Sequence, residues 1–204
     1  MENQRPKIGA TRTEERTKKI EKVLSHRHKD FTIVAENLTD PHNISAVFRS
    51  CDAVGILDAH IVYNLEVNRP KLADSSSASA RKWVNAIYHN SIEDCFKVLR
   101  AEGKRIYTTH LSHDAVSLYD IDLTVPFALV LGNERHGVSD EALALADQNV
   151  LIPQVGMIQS LNISVACAVS IYEAFRQRQK AGKYDQRALP DEDYDLILKD
   201  WLER

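Results

Sequence analysis

Three clusters of polar residues each follow a stretch of apolar, often β-branched residues. They span residues 37–49, 132–137 and 152–162. Amide, carboxylate and guanidinium groups in such clusters can orient a substrate, move a proton or stabilise a developing oxyanion. In an open α/β sheet, ligands bind beyond the carboxyl ends of the strands. Each cluster is therefore predicted to lie where a ligand could bind.

Asn43 and Arg49 are the candidate functional residues of the first cluster, and each has a structural alternative. Asn43 lies near the start of a predicted helix, where asparagine often caps backbone N–H groups. Arg49 follows six residues later among apolar residues, and it could pair with Asp52 or another carboxylate. On these residues alone, a structural role and a functional role remain equally open.

Several common catalytic motifs are absent. The sequence contains neither GxSxG, the nucleophile elbow of α/β-hydrolases, nor GxGxxG, the fingerprint of dinucleotide-binding folds. Residues 132–139 come close to a phosphate-binding loop, but Val138 occupies the position of the required lysine. Because Glu134 would also bring negative charge to the phosphate, a P-loop is excluded.

The spacing of histidines and cysteines does not predict a metal site. Two histidine pairs have ligand-like spacing but no evident third ligand beside them, namely His26 with His28 and His110 with His113. The three cysteines are far apart and lie in apolar helical patterns, typical of buried cysteine: Cys51, Cys95 and Cys167. An odd cysteine number without a CxxC motif indicates a reducing, cytoplasmic location.

Short apolar segments alternate with amphipathic helices, which predicts an α/β fold. Strands are expected over residues 31–35, 60–63, 105–109, 127–131 and 150–152, and helices over 44–54, 92–101, 140–146 and 162–180. Near-continuous apolar strands indicate a mostly parallel sheet covered by helices. Further helices are expected after a capping box at residues 11–14 and over 190–204, where one apolar face needs a partner. No apolar run approaches the length of a membrane span.

Basic residues concentrate near the two ends of the chain. Residues 1–29 contain nine basic and four acidic side chains, and residues 171–187 contain five basic and two acidic ones. The whole chain nevertheless has a formal net charge of −3. Two basic ends on an acidic body favour a polyanionic partner, although solvated helix faces would give the same pattern.

The order and spacing of the three clusters resemble the three motifs of the SpoU branch of the SPOUT RNA methyltransferases. Residues 40–47, 52–56, 141–147 and 159–166, together with the basic N-terminal helix, resemble the branch that methylates the 2′-hydroxyl of guanosine 18 in tRNA. The resemblance covers about residues 12–185. It implies one domain, with a basic helical extension over 1–30, a core over 31–176 closed by a C-terminal trefoil knot, and a C-terminal extension over 177–204.

The resemblance also implies a cofactor and its binding residues. S-adenosylmethionine is expected to bind, bent, in the knot, against these residues: Thr109, His110, Leu131, Gly132, Asn133, Ile152, Pro153, Met157, Leu161 and Asn162. Glycine at position 132 is expected to permit close approach of the cofactor, with a positive φ as a further reason for glycine.

The remaining implied roles concern the RNA. The residues expected to carry the reaction are Arg49, Asn43, Glu134, Ser160 and Asn162, with Arg49 as a clamp on a phosphate and on the developing alkoxide. Those expected to bind RNA are Arg12, Arg16, Lys19, His42, Arg176 and Arg178. The resemblance implies a homodimer whose RNA site spans both chains. Methylation of ribosomal RNA or of the tRNA wobble ribose, and a non-catalytic RNA-binding module, are the alternatives.

Overall fold

The computed structural model describes residues 13–63, 80–112, 114–158 and 160–204. The predictions for Thr11, Arg12 and His113 lie outside these ranges. Within them, seven strands were found: β1 (Phe31–Glu36), β2 (Asp58–Val62), β3 (Asn85–His89), β4 (Arg105–Thr109), β5 (Val116–Ser117), β6 (Phe127–Leu131) and β7 (Gln148–Leu151). They form one sheet in the order β3-β2-β1-β6-β4-β7-β5, with every pair parallel. The predicted α/β class with a mostly parallel sheet is confirmed.

Six α-helices accompany the strands in the described ranges. They are α1 (Glu14–Leu24), α2 (Pro41–Val54), α3 (Ile92–Ala101), α4 (Asp140–Leu145), α5 (Ile163–Lys180) and α6 (Asp191–Glu203). At the starts of five of them, a side-chain oxygen accepts a backbone N–H of the first turn. The residues that provide these oxygens are Thr13, Asp40, Ser91, Ser139 and Asn162. Such caps satisfy backbone donors that a helix leaves without intrahelical partners.

The sheet has a core on each face. On one face, apolar residues of α2 and α5 pack against it, including Phe48 and Ile171. On the other face, α3 and α4 contribute Phe96 and Ala142. Covering both faces buries a parallel sheet, as the apolar strands had predicted. The trefoil knot stays a prediction of the family resemblance.

Two short strands were not predicted. In β3, which lies at one edge of the sheet, no residue is fully buried, and the sequence alternates polar with apolar side chains only weakly. At the other edge, β5 is two residues long, too short to carry a period. Edge strands bury only part of their surface, so their sequences need less apolar character than central strands.

The C-terminal helix packs on the N-terminal helix. Trp201 of α6 is buried in a small apolar cluster with Ile20 and Leu24 of α1 and with Leu57. The apolar face predicted for residues 190–204 therefore docks within its own chain. Among the described helices, none has the length and apolar character that a membrane span requires.

Two arginines are fully buried at the amino-terminal end of the sheet. The guanidinium of Arg27 pairs with Asp52 and also donates to the carbonyl oxygen of Ile56 at 3.1 Å. Arg178 of α5 pairs with Asp30, directly before β1, and lies over the ring of Phe31. Burial alone would raise the pKa of Asp30, but His28 and Arg178 outweigh it and lower the value to about 2. These charges are therefore structural.

Candidate active site

A cavity of about 800 Å³ opens at the carboxyl ends of β1, β4, β6 and β7. Its wall includes residues of all three polar clusters: Thr39, Asp40 and Asn43 from the first, residues 132–137 from the second, and Ile152, Gln154 and residues 160–162 from the third. The end of β4 and the first half of α5 complete it. The cavity lies at the sheet edge where α/β folds bind ligands.

The carboxylate of Glu134 joins the first cluster to the second. One oxygen accepts the backbone N–H of Thr39 at 3.4 Å, and the other accepts that of Asp40 at 3.3 Å and Nδ2 of Asn43 at 3.2 Å. Asn43 in turn accepts a bond from Nδ2 of Asn162, also at 3.2 Å. A continuous hydrogen-bonded series thus connects all three clusters, with Asn43 at its centre.

The start of α2 determines where Asn43 and Arg49 lie. The Asp40 side chain caps the helix by accepting the N–H of His42 at 2.8 Å, and Pro41 is the first helical residue. The helix therefore begins three residues before its predicted start. This places Asn43 in the first turn, at the cavity. Arg49 lies six residues on, about 240° further around the helix axis. It is exposed and outside the cavity lining, and Asp52 pairs with Arg27.

Gly132 is required by its own loop. A Cβ atom there would lie 2.1 Å from the carbonyl carbon of Gly137 and from the backbone nitrogen of Val138. The loop is closed by two backbone hydrogen bonds between Asn133 and Gly137, at 2.8 and 2.9 Å. Loop crowding is thus a reason for glycine that the sequence did not reveal, and close approach of the cofactor stays a prediction. The predicted positive φ is wrong, since it occurs at Gly137 instead.

The side chain of Asn133 is also used within the protein. Its Nδ2 donates to the carbonyl oxygen of Asn37 at 2.7 Å, and its Oδ1 accepts the N–H groups of Arg135 and His136 at 2.9 and 3.2 Å. Asn133 lines the cavity as predicted. Its amide, however, holds the second cluster against the first and shapes the cavity wall.

Asn149 is a positioning residue that the sequence did not reveal. Its Oδ1 accepts the N–H of His110 at 3.0 Å, and its Nδ2 donates to the carbonyl oxygen of His110 at 2.9 Å and to Ser112 Oγ at 2.7 Å. The amide of β7 thereby fixes the segment that follows β4 in the cavity wall. An asparagine directly before a predicted apolar strand is the only signal that could have identified it.

The α5 side of the cavity combines apolar surface with one unpartnered hydroxyl. Ile163 and Ala166 line it together with Leu118 and Val150. Ser170 Oγ is buried, and no hydrogen-bond partner for it occurs in the described part of the chain. Buried hydroxyls normally have a partner, so this one fits a polar group of a bound ligand. Apolar walls with a few polar groups are typical of small-molecule and cofactor sites.

The predicted cofactor residues divide into two groups. Seven of them line the cavity: Thr109, His110, Gly132, Asn133, Ile152, Leu161 and Asn162. The other three do not: Leu131 is buried at the end of β6, and Pro153 and Met157 are exposed beside the cavity. Of the residues expected to carry the reaction, Asn43, Glu134, Ser160 and Asn162 line the cavity, and Arg49 does not.

The predicted RNA-binding residues have unlike environments. Arg16 and Lys19 are exposed on α1, and His42 is exposed at the start of α2. Arg176 is exposed and bonds to Glu173 at 2.7 and 2.8 Å, and this hydrogen bond lowers the pKa of Glu173. Arg178 is fully buried and donates to the carbonyl oxygens of residues 123–125. The prediction that Arg178 binds RNA is wrong.

Residues 30–172 match the SpoU rRNA Methylase family. The chain is 47% identical, over 95% of its length and 98% of the relative, to a Thermus thermophilus protein named tRNA (guanosine(18)-2'-O)-methyltransferase. It superposes on the TrmH/SpoU tRNA modifying enzyme of A. aeolicus with a TM-score of 0.86 at 37% identity, covering 93% of this chain and 96% of that one. For the methyltransferase AviRb from Streptomyces viridochromogenes in complex with AdoMet, the TM-score is 0.66 at 29% identity, with 74% and 59% covered. The chain thus belongs to the SpoU methylase family.

Proposed function

We propose that this protein methylates the ribose 2′-hydroxyl of guanosine 18 in the D-loop of tRNA, using S-adenosylmethionine. The single observation that carries the proposal is the hydrogen-bonded series Glu134–Asn43–Asn162 beside a cavity of about 800 Å³. Near-full-length relatives named for this reaction, at 38–47% identity, give the substrate. The buried thiols and a tRNA substrate fit a cytoplasmic location.

S-adenosylmethionine would supply an activated methyl group carried on a sulfonium sulfur. Thr109, His110, Ile152 and Leu161 would hold it in the cavity, with Ser170 Oγ as a hydrogen-bonding group. We also include Leu131, Gly132, Asn133, Pro153 and Met157, which form or flank the same wall. The cavity lies in the size range of pockets that bind ligands of this kind.

The chain's polar side chains would bring the ribose into line with the methyl group. Asn43 and Asn162 are linked to each other and to Glu134, so their amides are preorganised at the cavity mouth. Ser160 lies beside them. Such preorganisation lowers the barrier chiefly by orientation. Arg49 would hold the neighbouring phosphate and stabilise the alkoxide, since its guanidinium stays charged and makes a poor base.

We further propose a homodimer in which Arg49 of one chain acts at the cavity of its partner. In support, Arg49 is exposed and lies outside the cavity lining of its own chain. Apolar side chains are exposed along α5 and the loop before it, as is typical of a protein–protein interface. They are Val155, Met157, Ile158, Val165 and Tyr172. Arg16, Lys19, His42 and Arg176, together with Arg12, would bind phosphates of the tRNA.

The activity is tested with the purified protein, radiolabelled S-adenosylmethionine and a tRNA transcript. We expect one methyl group per transcript, and none on a matched transcript whose residue 18 is a 2′-deoxyguanosine. Equal incorporation into both transcripts would contradict position 18. Incorporation only into ribosomal RNA, or at the wobble ribose, would support the alternatives from the same family.

The shared site is tested by mixing two inactive variants, Arg49→Ala and Asn162→Ala. If each cavity uses Arg49 of the partner, half of the mixed dimers' sites are intact, so about a quarter of the wild-type activity returns after subunit exchange. No recovery, with exchange verified by mass spectrometry, would place Arg49 at the cavity of its own chain. Sedimentation of the wild-type protein as a monomer would contradict the dimer.

A further inference from the structure

A cluster of two imidazoles and one thiol lies on the sheet face opposite α2 and α5, outside the cavity wall. His60 is buried in β2, His89 ends the edge strand β3, and Cys95 is buried in the first turns of α3. One nitrogen of each ring and the sulfur lie within 4.8 Å of one another. Three sequence-distant elements thus converge on one point.

We propose that His60, His89 and Cys95 bind a divalent transition-metal ion, zinc in the first instance. Two imidazole nitrogens and one thiolate are a typical ligand set for zinc, and they leave a fourth tetrahedral position for water. The site is independent of the methyl-transfer chemistry proposed above. Because the site lies between β2, β3 and α3, a bound ion would have a structural role and would hold the edge strand β3 against its neighbours.

The two rings already present their ring nitrogens to each other. Nδ1 of His60 and Nε2 of His89 are 2.8 Å apart, and the rings stack with an interplanar angle of 15°. This contact is a hydrogen bond, in which one nitrogen donates its proton to the lone pair of the other. A bound ion would replace that bond and hold the two nitrogens slightly further apart. Burial lowers the pKa of both His60 and His89, which favours the neutral imidazole. Neutral imidazole is the form that binds metals.

Metal binding at this cluster would have to deprotonate the Cys95 thiol. Burial raises the pKa of Cys95 to about 12, so the free site holds a protonated thiol. Binding would form a metal–sulfur bond and release that proton to solvent, leaving one net positive charge on the complex. Glu102 acts electrostatically on all three ligands, while Lys104, which pairs with Glu102, acts on His60 with the opposite sign.

The other two cysteines provide an internal control. Cys51 and Cys167 lie near each other, where α2 meets α5, on the opposite face of the sheet. Neither belongs to a potential metal cluster among the residues that the structure describes. A cobalt signal that depends on Cys95 and not on Cys167 would therefore identify the site.

The test is a titration of the chelator-treated, full-length protein with cobalt(II), followed by absorbance. We expect one cobalt per chain, a near-ultraviolet sulfur-to-cobalt charge-transfer band, and displacement of cobalt by zinc. Cys95→Ser should lose the band while Cys167→Ala retains it. Since losing even an outer-shell partner costs about 10–100-fold in metal affinity, the ligand variant His89→Gln should weaken zinc binding by at least about 100-fold.

A second readout measures the structural role. Zinc should raise the melting temperature of the wild-type protein and of Cys167→Ala, and leave that of folded His89→Gln unchanged. His89 is only half-buried, so this variant keeps the test valid if Cys95→Ser fails to fold. Absence of the charge-transfer band in the wild-type protein at cobalt excess would overturn the proposal, because the imidazoles would then only hydrogen-bond to each other. A band that survives Cys95→Ser would overturn it equally.

Discussion

The two ends of the parallel strands differ in how accessible their polar side chains are. At the carboxyl ends, Glu134, Asn43 and Asn162 border an open cavity and remain accessible to a ligand. At the amino ends, Arg27 and Arg178 are completely buried against carboxylates and carbonyl oxygens. A buried, paired charge contributes to the fold, and removing its partner is costly. An accessible polar side chain can instead contact a substrate.

Of these variants, Arg49→Ala should lose the most activity, through slower turnover and not through weaker cofactor binding or a less stable fold. We expect a loss of at least about 1,000-fold, about 4 kcal/mol, because the variant lacks the cation proposed to stabilise the phosphate and the alkoxide. Binding of S-adenosylhomocysteine should stay within a few fold and the melting temperature should not move. Single-turnover kinetics and calorimetry measure these quantities, and near-normal turnover would remove Arg49 from the reaction.

Arg178→Met, by contrast, should lower the stability of the fold. It leaves Asp30 without its cation and three carbonyl oxygens without a donor, so we expect about 3–5 kcal/mol of lost unfolding free energy. Arg176→Met, two residues away on the same helix, removes the exposed partner of the buried Glu173, which keeps its hydrogen bond from Gln177, and should cost clearly less unfolding free energy. Urea denaturation compares the two. Equal losses would show that burial does not distinguish these arginines.

Gly132→Val should impair cofactor binding by deforming the cavity wall. The new side chain would overlap the backbone of Gly137 and Val138, so this loop of the cavity wall must shift. We expect S-adenosylhomocysteine to bind at least tenfold more weakly, about 1.4 kcal/mol. Gly156→Ala is the matched control, because a Cβ there meets nothing within 4 Å. Unchanged calorimetric affinity in folded, dimeric Gly132→Val would show that the cofactor binds elsewhere.

The smallest effect is expected from replacing the exposed basic residues of α1. Replacing Arg16 and Lys19 together with alanine should weaken tRNA binding and flatten its salt dependence, by up to about one log–log unit for each phosphate that the protein no longer neutralises. Fluorescence anisotropy at several salt concentrations measures the slope. An unchanged slope would mean that these side chains form a solvated helix face. Turnover at saturating tRNA should be preserved, unlike in Arg49→Ala.

The sequence predicted more of the carboxyl end than of the amino end. Three polar clusters after three apolar strands were enough to anticipate one sheet edge, because parallel strands end on the same side. Arg176 and Arg178, by contrast, look alike in a basic helix end. Two residues along a helix amount to about 200° of rotation, and only the packing of α5 decides which of them is buried.

Other features required tertiary information from the start. The second oxygen of Glu134 reaches back to Asp40, more than ninety residues away, and no local pattern encodes that contact. The crowded backbone around Gly132 appears only once the loop is folded. His60, His89 and Cys95 each look ordinary in the sequence, and a register of parallel strands brings them together.

Helix α5 connects the two ends of the sheet mechanically. Its 18 residues span about 27 Å, from Asn162 at the cavity to the Arg178 guanidinium beneath β1 and β6. Because the far end is held by a buried ion pair, sliding or rotating the helix would break that pair at a high cost in free energy. Asn162 is therefore held in place at the cavity from the opposite end of the sheet.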